Sequence, residues 1–367
     1  MLARQNTKLL RQIGTLPTSG ARAAEIYSMN HQTFLAVPQL AYDLAATPAH
    51  MNGGDSDTDM LIFRWNGDAF IEHSRLSVPG GEDAEFFTIN GAHYLATASA
   101  RKGKGPYEPN IGSTIFRWDG AAWSHFQSVP GFLAKQFRHF SIGSRHFLGL
   151  ALGVTIEGAV ATNPRNSCIL EWNGTSFELL QTLEGPWGYN WRHFTIEGQH
   201  FLAYADHVEA SRILRWDGKR FELFQTLEGK TGRAFEVMQV DGQIQLAFAT
   251  IAGDTTVLQW NGQAFEHFQT LGGPGGREFA ALTRDNSHYL VQINFIEGSP
   301  KEPKTALVSF IHQWDGDQWQ KVFEFETFGA TDAAFFSDQG KTYLVVTNSL
   351  TPDVRFRQDS AVFEFLG

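Results

Sequence analysis

Arg212-Ile-Leu-Arg-Trp216-Asp-Gly-Lys-Arg-Phe221-Glu-Leu-Phe-Gln-Thr-Leu227 is the stretch whose reading decides the fold. Apolar and polar residues interleave at period two on both sides of Trp216-Asp-Gly, as expected of two half-buried strands meeting at a turn. Asp-Gly tolerates positive φ at both central positions, so a two-residue hairpin is predicted here. Upstream, Trp191-Arg-His-Phe-Thr-Ile196 and His200-Phe-Leu-Ala-Tyr204 flank a tight Glu-Gly-Gln turn and read as a second hairpin. Together they make four short antiparallel strands, A to D in chain order.

That unit recurs along the chain. Trp65-Asn-Gly, Trp118-Asp-Gly, Trp172-Asn-Gly, Trp216-Asp-Gly, Trp260-Asn-Gly and Trp314-Asp-Gly follow one another at 53, 54, 44, 44 and 54 residues. Phe365-Leu-Gly closes the chain 51 residues later as a degenerate seventh copy. Periods of this size indicate a radial or stacked array, and four-stranded sheets repeated radially are propeller blades. From each turn tryptophan to the end of strand D is 11 residues, and from there to the centre of strand A again 11, as in Trp172, Leu183 and Phe194. Length varies only between strands B and C, so every insertion emerges on one face, shared with the D–A connections. Rigid scaffolds carry function on such loops. The chain ends after a C-type strand, Ala361–Phe365, and Leu9–Leu16 resembles the D-type segment Phe177–Leu183. The N-terminal strand is therefore expected to complete the last blade, giving an all-β, seven-bladed propeller of four-stranded antiparallel blades over residues 1–367.

Composition agrees and narrows the function classes. Phe 31 and Trp 10 among 367 residues suit strands, and a net charge of −10 argues against a phosphate-backbone partner. The basic run Arg101-Lys102-Gly103-Lys104 is too short to reverse that. No apolar stretch approaches a membrane span, and no continuous apolar leader follows Met1, so a water-soluble, cytoplasmic chain is expected. Cys168 has no partner cysteine and is expected to be buried and inert.

The motif Phe-x-Ile-x-Gly-x-x-Phe-Leu-Ala-x-Ala-Asp, followed by Ile-Leu-x-Trp-Asp-Gly-x-x-Phe-x-x-Phe-Gln-Thr-Leu, over Phe194–Leu227, resembles the EPTP or EAR repeat. The resemblance is to the propeller of the leucine-rich glioma-inactivated proteins and extends over all seven copies. It implies a propeller and, in the animal proteins, a secreted protein-binding module. Members of that family can hold calcium in the channel through inner-strand aspartates, and Asp83 and Asp332 match the Asp-x-x-x-Phe spacing. Spacing alone yields no metal site: Asp55-Ser-Asp57-Thr-Asp59 alternates carboxylates, but Met60 stands where a calcium loop needs glycine.

Candidate site residues come from strand A, the innermost. One column of the repeat holds Glu25, Glu85, Arg138, Arg192 and Glu236, then Ala280 and Ala334; the next includes His139 and His193. Two readings stand. In one, Arg–Glu pairs seal the channel. In the other, the arginines clamp an anion while histidine or glutamate carries protons. The D–A segment Trp187-Gly-Tyr189-Asn-Trp191 is dense in aromatic residues that either cap the core or wall a pocket. Residues Glu25, Glu85, His139, Trp187, Tyr189 and Trp191 are thus candidate ligand contacts. The leading reading is a binding propeller that grips a protein or small ligand on the loop face. The alternative is a cofactor-independent enzyme that uses Arg138, Arg192, His193 and Glu236 at the channel mouth for a proton-transfer or bond-forming reaction. A nucleic-acid partner and a membrane are not expected.

Overall fold

The repeat uses two kinds of turn, and the tryptophan turn differs from the expected one. A computed structural model describes residues 8–157, 160–162 and 164–367 of the chain. Trp216 pairs with Phe221, so residues 217–220 form a four-residue loop rather than a two-residue one. The Asp217 carboxylate accepts from the N–H groups of Lys219 and Arg220 at 2.7 and 2.8 Å, and Gly218 alone takes positive φ, at 104°. Asn66, Asp119, Asn173, Asn261 and Asp315 close their loops in the same way. The side chain supplies the turn's acceptor, which is why Asn and Asp alternate freely there. Two-residue hairpins with positive φ at both positions do occur, at the A–B turns: Asn30 and His31 have φ of 52° and 60°.

Seven four-stranded antiparallel sheets follow, each in the order A–B–C–D from the centre outward. Blade 4, for example, comprises Gly188–Ile196, Gln199–Asp206, Arg212–Trp216 and Phe221–Thr226. Blade 7 comprises Ala330–Asp338, Lys341–Asn348, Ser360–Phe365 and, as its outer strand, Leu10–Leu16. Leu10 pairs with Phe365 and Leu16 with Ser360, and Arg11 forms an ion pair with Glu364 across that seam. Joining both ends of the described chain in one sheet closes the ring and leaves Ser360–Phe365 no bare edge.

Side chains alternate between the two neighbouring blades, so the core is a set of layers between sheets. Phe194 of blade 4 stacks on Phe201 and meets Phe265 of blade 5 edge-on. A polar clamp is added at the Gln of Phe-Gln-Thr-Leu. The Gln225 amide accepts from Phe265 N–H at 2.9 Å and donates to Phe265 C=O at 2.7 Å. Gln127, Gln181 and Gln269 make the same pair of hydrogen bonds to the next blade.

The faces are unlike. The turn face carries the two- and four-residue turns. The loop face carries the B–C insertions, including the small hairpin Glu297–Ser299 with Glu302–Lys304. There Leu40, Met51, Phe295, Leu350 and Phe356 form an apolar cluster that ties the loops of blades 6, 7, 1 and 2 together. Cys168 is buried, and burial pushes its thiol up to about 12. No helix among the described residues is long and apolar enough to cross a membrane.

Deleting residues 1–16 should expose the Ser360–Phe365 edge and convert a monodisperse protein into aggregates, checked by size-exclusion chromatography with light scattering. Gln225→Ala should cost about 1–3 kcal/mol by denaturant unfolding, because two backbone groups of blade 5 lose their partner.

Candidate functional site at the channel mouth

The innermost strand of each blade has a free edge on the channel, and its outward N–H groups need acceptors. Side chains of the preceding blade provide them. Asp83 accepts from Phe137 N–H at 2.8 Å, Gln136 from Trp191 at 2.6 Å, Asn190 from Phe235 at 3.1 Å and Asp332 from Ala24 at 2.8 Å. Two residues further along, Glu25 accepts from Phe86 N–H and Glu85 from His139 N–H, each at 2.8 Å. The polar columns of strand A thus satisfy backbone from blade to blade.

Carboxylates placed there need counter-charge. Arg138 pairs with Glu85 at 2.9 Å, and Arg192 with Glu236 at 2.8 Å. Arg192 Nε also donates to Phe235 C=O at 2.9 Å, and Glu278 lies 4.0 Å from its guanidinium. Glu25, Arg138, Arg192 and Glu236 meet around one cavity of about 250 Å³. Four residues of the predicted charged column are therefore brought together, with Arg192 paired to Glu236 within the group and Arg138 to Glu85 beside it.

The histidines are not with them. His193 stacks on Phe140 of blade 3 at 4.8 Å, and His139 on Phe87 of blade 2 at 4.5 Å. Their Nε2 atoms lie 3.1 and 3.3 Å from Nδ1 of His200 and His146. Burial lowers His193 to about 4 and His139 to about 3, so both rings are neutral near pH 7. The expectation that His193 joins the arginines is corrected by the pleat: adjacent residues of a strand point to opposite neighbours. Trp191 is corrected for the same reason. It has no exposed surface, lies between blades 3 and 4 against Tyr204 at 4.4 Å, and faces Gly149, where a Cβ would come within 3.1 Å. Trp187 stacks on Tyr189 at 5.6 Å and meets His207 edge-on at 4.7 Å. Of the aromatic candidates, Tyr189 lines the cavity.

A second ring, nearer the loop face, escaped the sequence reading. Strand A of blades 2 to 7 carries a β-bulge near its start, at Glu82, Lys135, Tyr189, Arg233, Arg277 and Thr331. Arg22 holds the matching place in blade 1, its N–H bonded to Pro38 C=O at 3.0 Å. A bulge re-aims its side chain, here into the channel mouth. Lys135 donates to Glu82 at 2.7 Å, Arg22 Nε stands 3.7 Å from the same carboxylate, and Arg233 lies 3.9 Å over the Tyr189 ring. Burial opposes ionisation of Glu82, but Lys135 and Arg22 outweigh it and hold its carboxyl down at about 2. The column was visible as residue types, but the change of direction was not.

Below this ring the carboxyls behave differently. Burial pushes Glu278 up to about 8 and Asp332 to about 6, and holds Glu25 and Asp83 well above the ordinary range. The calcium implied by the resemblance fits these residues poorly. Asp83 and Asp332 are engaged with backbone N–H groups, and no three acidic, histidine or cysteine groups converge as a metal set among the described residues. Asp55 and Asp57 of the acidic loop are likewise engaged, with Lys104 at 3.2 Å and Gly103 N–H at 2.9 Å.

Comparison with known proteins accords with this architecture. Residues 69–119, 176–217 and 220–261 match the EPTP domain family. The chain is similar to the thrombospondin-type laminin G domain and EAR repeat-containing protein of mouse, 27% identical over 175 residues. The human protein of the same name is 25% identical over 174 residues. Each match takes in 47% of this chain and 24% of the relative, so the alignment spans about a quarter of those longer proteins. The three matched stretches fall within blades 1 to 5 of the seven-bladed ring, so the EPTP likeness is carried by the repeats themselves.

A testable consequence concerns pH. Glu278 has a folded-state pKa of about 8, above the ordinary glutamate value of about 4.3, so the folded protein binds the extra proton between those limits. Its contribution to stability therefore falls as pH rises through that window and is fully lost above it. Glu278→Gln should melt close to the wild type at pH 5 and above it at pH 9, in paired calorimetric scans; the reverse order would assign Glu278 a structural charge paired to Arg192.

Proposed function

We propose that this EPTP/EAR-repeat propeller is an interaction module that grips its partner on the loop face, around the channel mouth. The observation that carries the reading is the asymmetry of the two faces. The turn face is made of two- and four-residue turns, the four-residue ones held by their own side chains, whereas the insertions, the small hairpin of Glu297–Ser299 with Glu302–Lys304 and the re-aimed ring all lie on the loop face. The match to EPTP repeats, and to curated proteins named for their EAR repeats, supports an interaction role by analogy of fold.

Catalysis is the second reading, and the raised carboxyls Glu278 and Asp332 favour it, since perturbed acids in a cleft are candidate acid–base groups. Size weighs against it. A cavity of about 250 Å³ is below the roughly 300–1,000 Å³ that encloses a drug-sized ligand, so it suits a protruding group better than a whole substrate. The histidines that would serve at neutral pH stand between blades.

The test is site-specific photo-cross-linking in extract of the source cells. A cross-linking residue at Lys102 or Lys301 on the loop face should give discrete higher-mass adducts, and one at Lys219 or Thr175 on the turn face should give none. Adducts confined to the turn face would overturn the assignment.

A further inference from the structure

Within the bulge ring itself cations outnumber carboxylates, with Arg22, Lys135, Arg233 and Arg277 set against Glu82. Arg22, Lys135 and Arg277 line the cavity from blades 1, 3 and 6, and Glu82 is the carboxylate standing among them at that level. Lys135 takes one Glu82 oxygen at 2.7 Å, and Arg22 approaches the other only to 3.7 Å, its Nε buried without a hydrogen-bond partner. Arg277 is 9% exposed and makes no ion pair or hydrogen bond among the described residues; its guanidinium lies 5.4 Å from the Tyr189 ring centroid. Arg233 lies over the same ring at 3.9 Å and donates to His207 Nδ1 at 2.9 Å, which adds positive charge behind the tyrosine. Arg277 acts electrostatically on the carboxyls of Glu278 and Asp332 but has neither within ion-pair distance, so an arriving oxyanion would supply the direct contact that its guanidinium lacks.

We propose that this ring is a receptor for a small oxyanion, a phosphate or carboxylate group that enters from the loop face and is held by Arg277, Arg22 and Lys135. The proposal rests on the loop face being the working face, and it names the chemistry anchored there. Guanidinium groups match the paired oxygens of carboxylate and phosphate, and the ammonium of Lys135 adds a point charge. The cavity of about 250 Å³ suits such a group with a short body attached. Of the carboxyls beneath, Glu278 is held protonated up to about 8 by burial and presents an O–H donor at neutral pH, whereas Asp332, raised only to about 6, is largely ionised there and opposes the anion. Tyr189, backed by Trp187 at 5.6 Å, forms an aromatic wall on the blade 4 side, where the B–C loop is short.

Thermal unfolding and isothermal titration with sodium phosphate, sulfate and citrate, each against chloride at matched ionic strength, test the receptor on the full chain. At least one oxyanion should raise the wild-type melting temperature by several degrees over chloride. Arg277→Gln should weaken that binding at least tenfold, yet melt in chloride at or above the wild type, because an unpaired buried cation has been removed. Glu82→Gln should bind the oxyanion more tightly and become dependent on it for stability. Two results would overturn the proposal: no oxyanion effect beyond chloride, or an Arg277→Gln protein that melts lower in chloride and keeps its oxyanion response. Loop-face cross-links that persist under either result would leave the docking face standing without the receptor, and cross-links confined to the turn face would remove the docking reading whatever the anion does.

Discussion

Seven bare strand edges face the channel, and the need to satisfy their N–H groups governs the centre of this molecule. An apolar channel would leave those donors unpaired at a cost of about 1–3 kcal/mol each. Asp83, Gln136, Asn190 and Asp332 meet the need by reaching one blade forward, and Glu25 and Glu85 repeat the device one level down. The blades are thereby fastened at the axis as the Gln127, Gln181, Gln225 and Gln269 amides fasten them further out.

The electrostatics of the site follow from that requirement. Carboxylates used as backbone acceptors in a buried place demand either a cation or a proton. Arg138 and Arg192 answer the first way, paired with Glu85 and Glu236 at 2.9 and 2.8 Å. Glu278 answers the second way, with burial raising it to about 8, and Asp332, raised to about 6, does so only below neutral pH. The Arg138 and Arg192 level is ion-paired, whereas in the bulge ring above it Arg277 makes no ion pair among the described residues.

Position on the ring also matters. Long loops of blades 6, 7, 1 and 2 are bound together by the Leu40, Phe295 and Phe356 cluster, while blade 4 offers Trp187, Tyr189 and His207 beside a short loop. The channel mouth is therefore walled unevenly, high on one side and aromatic on the other.

Blade number, strand order, the closing strand Leu10–Leu16 and the identity of the loop face were all legible in the sequence, because each depends on spacing along the chain. The 11-residue intervals and the placement of every insertion between strands B and C are one-dimensional quantities. Which residues share a cavity is not. Arg192 and His193 are neighbours in sequence, yet the pleat sends one to the channel and the other against Phe140 of blade 3. The bulge at Lys135, Tyr189 and Arg277 adds one residue opposite none, and it turns toward the channel side chains that strict alternation would send into the core. The Asx loop after each tryptophan is a similar case: Asn-Gly was legible as a turn, but the Asn66 side chain, by accepting from two backbone N–H groups, decided its length. The sequence determined the repeat and its closure, since periodicity survives projection onto a line. Tertiary structure alone decided direction, because a single bulge reverses the side to which a side chain points and residue type does not show where the bulge falls.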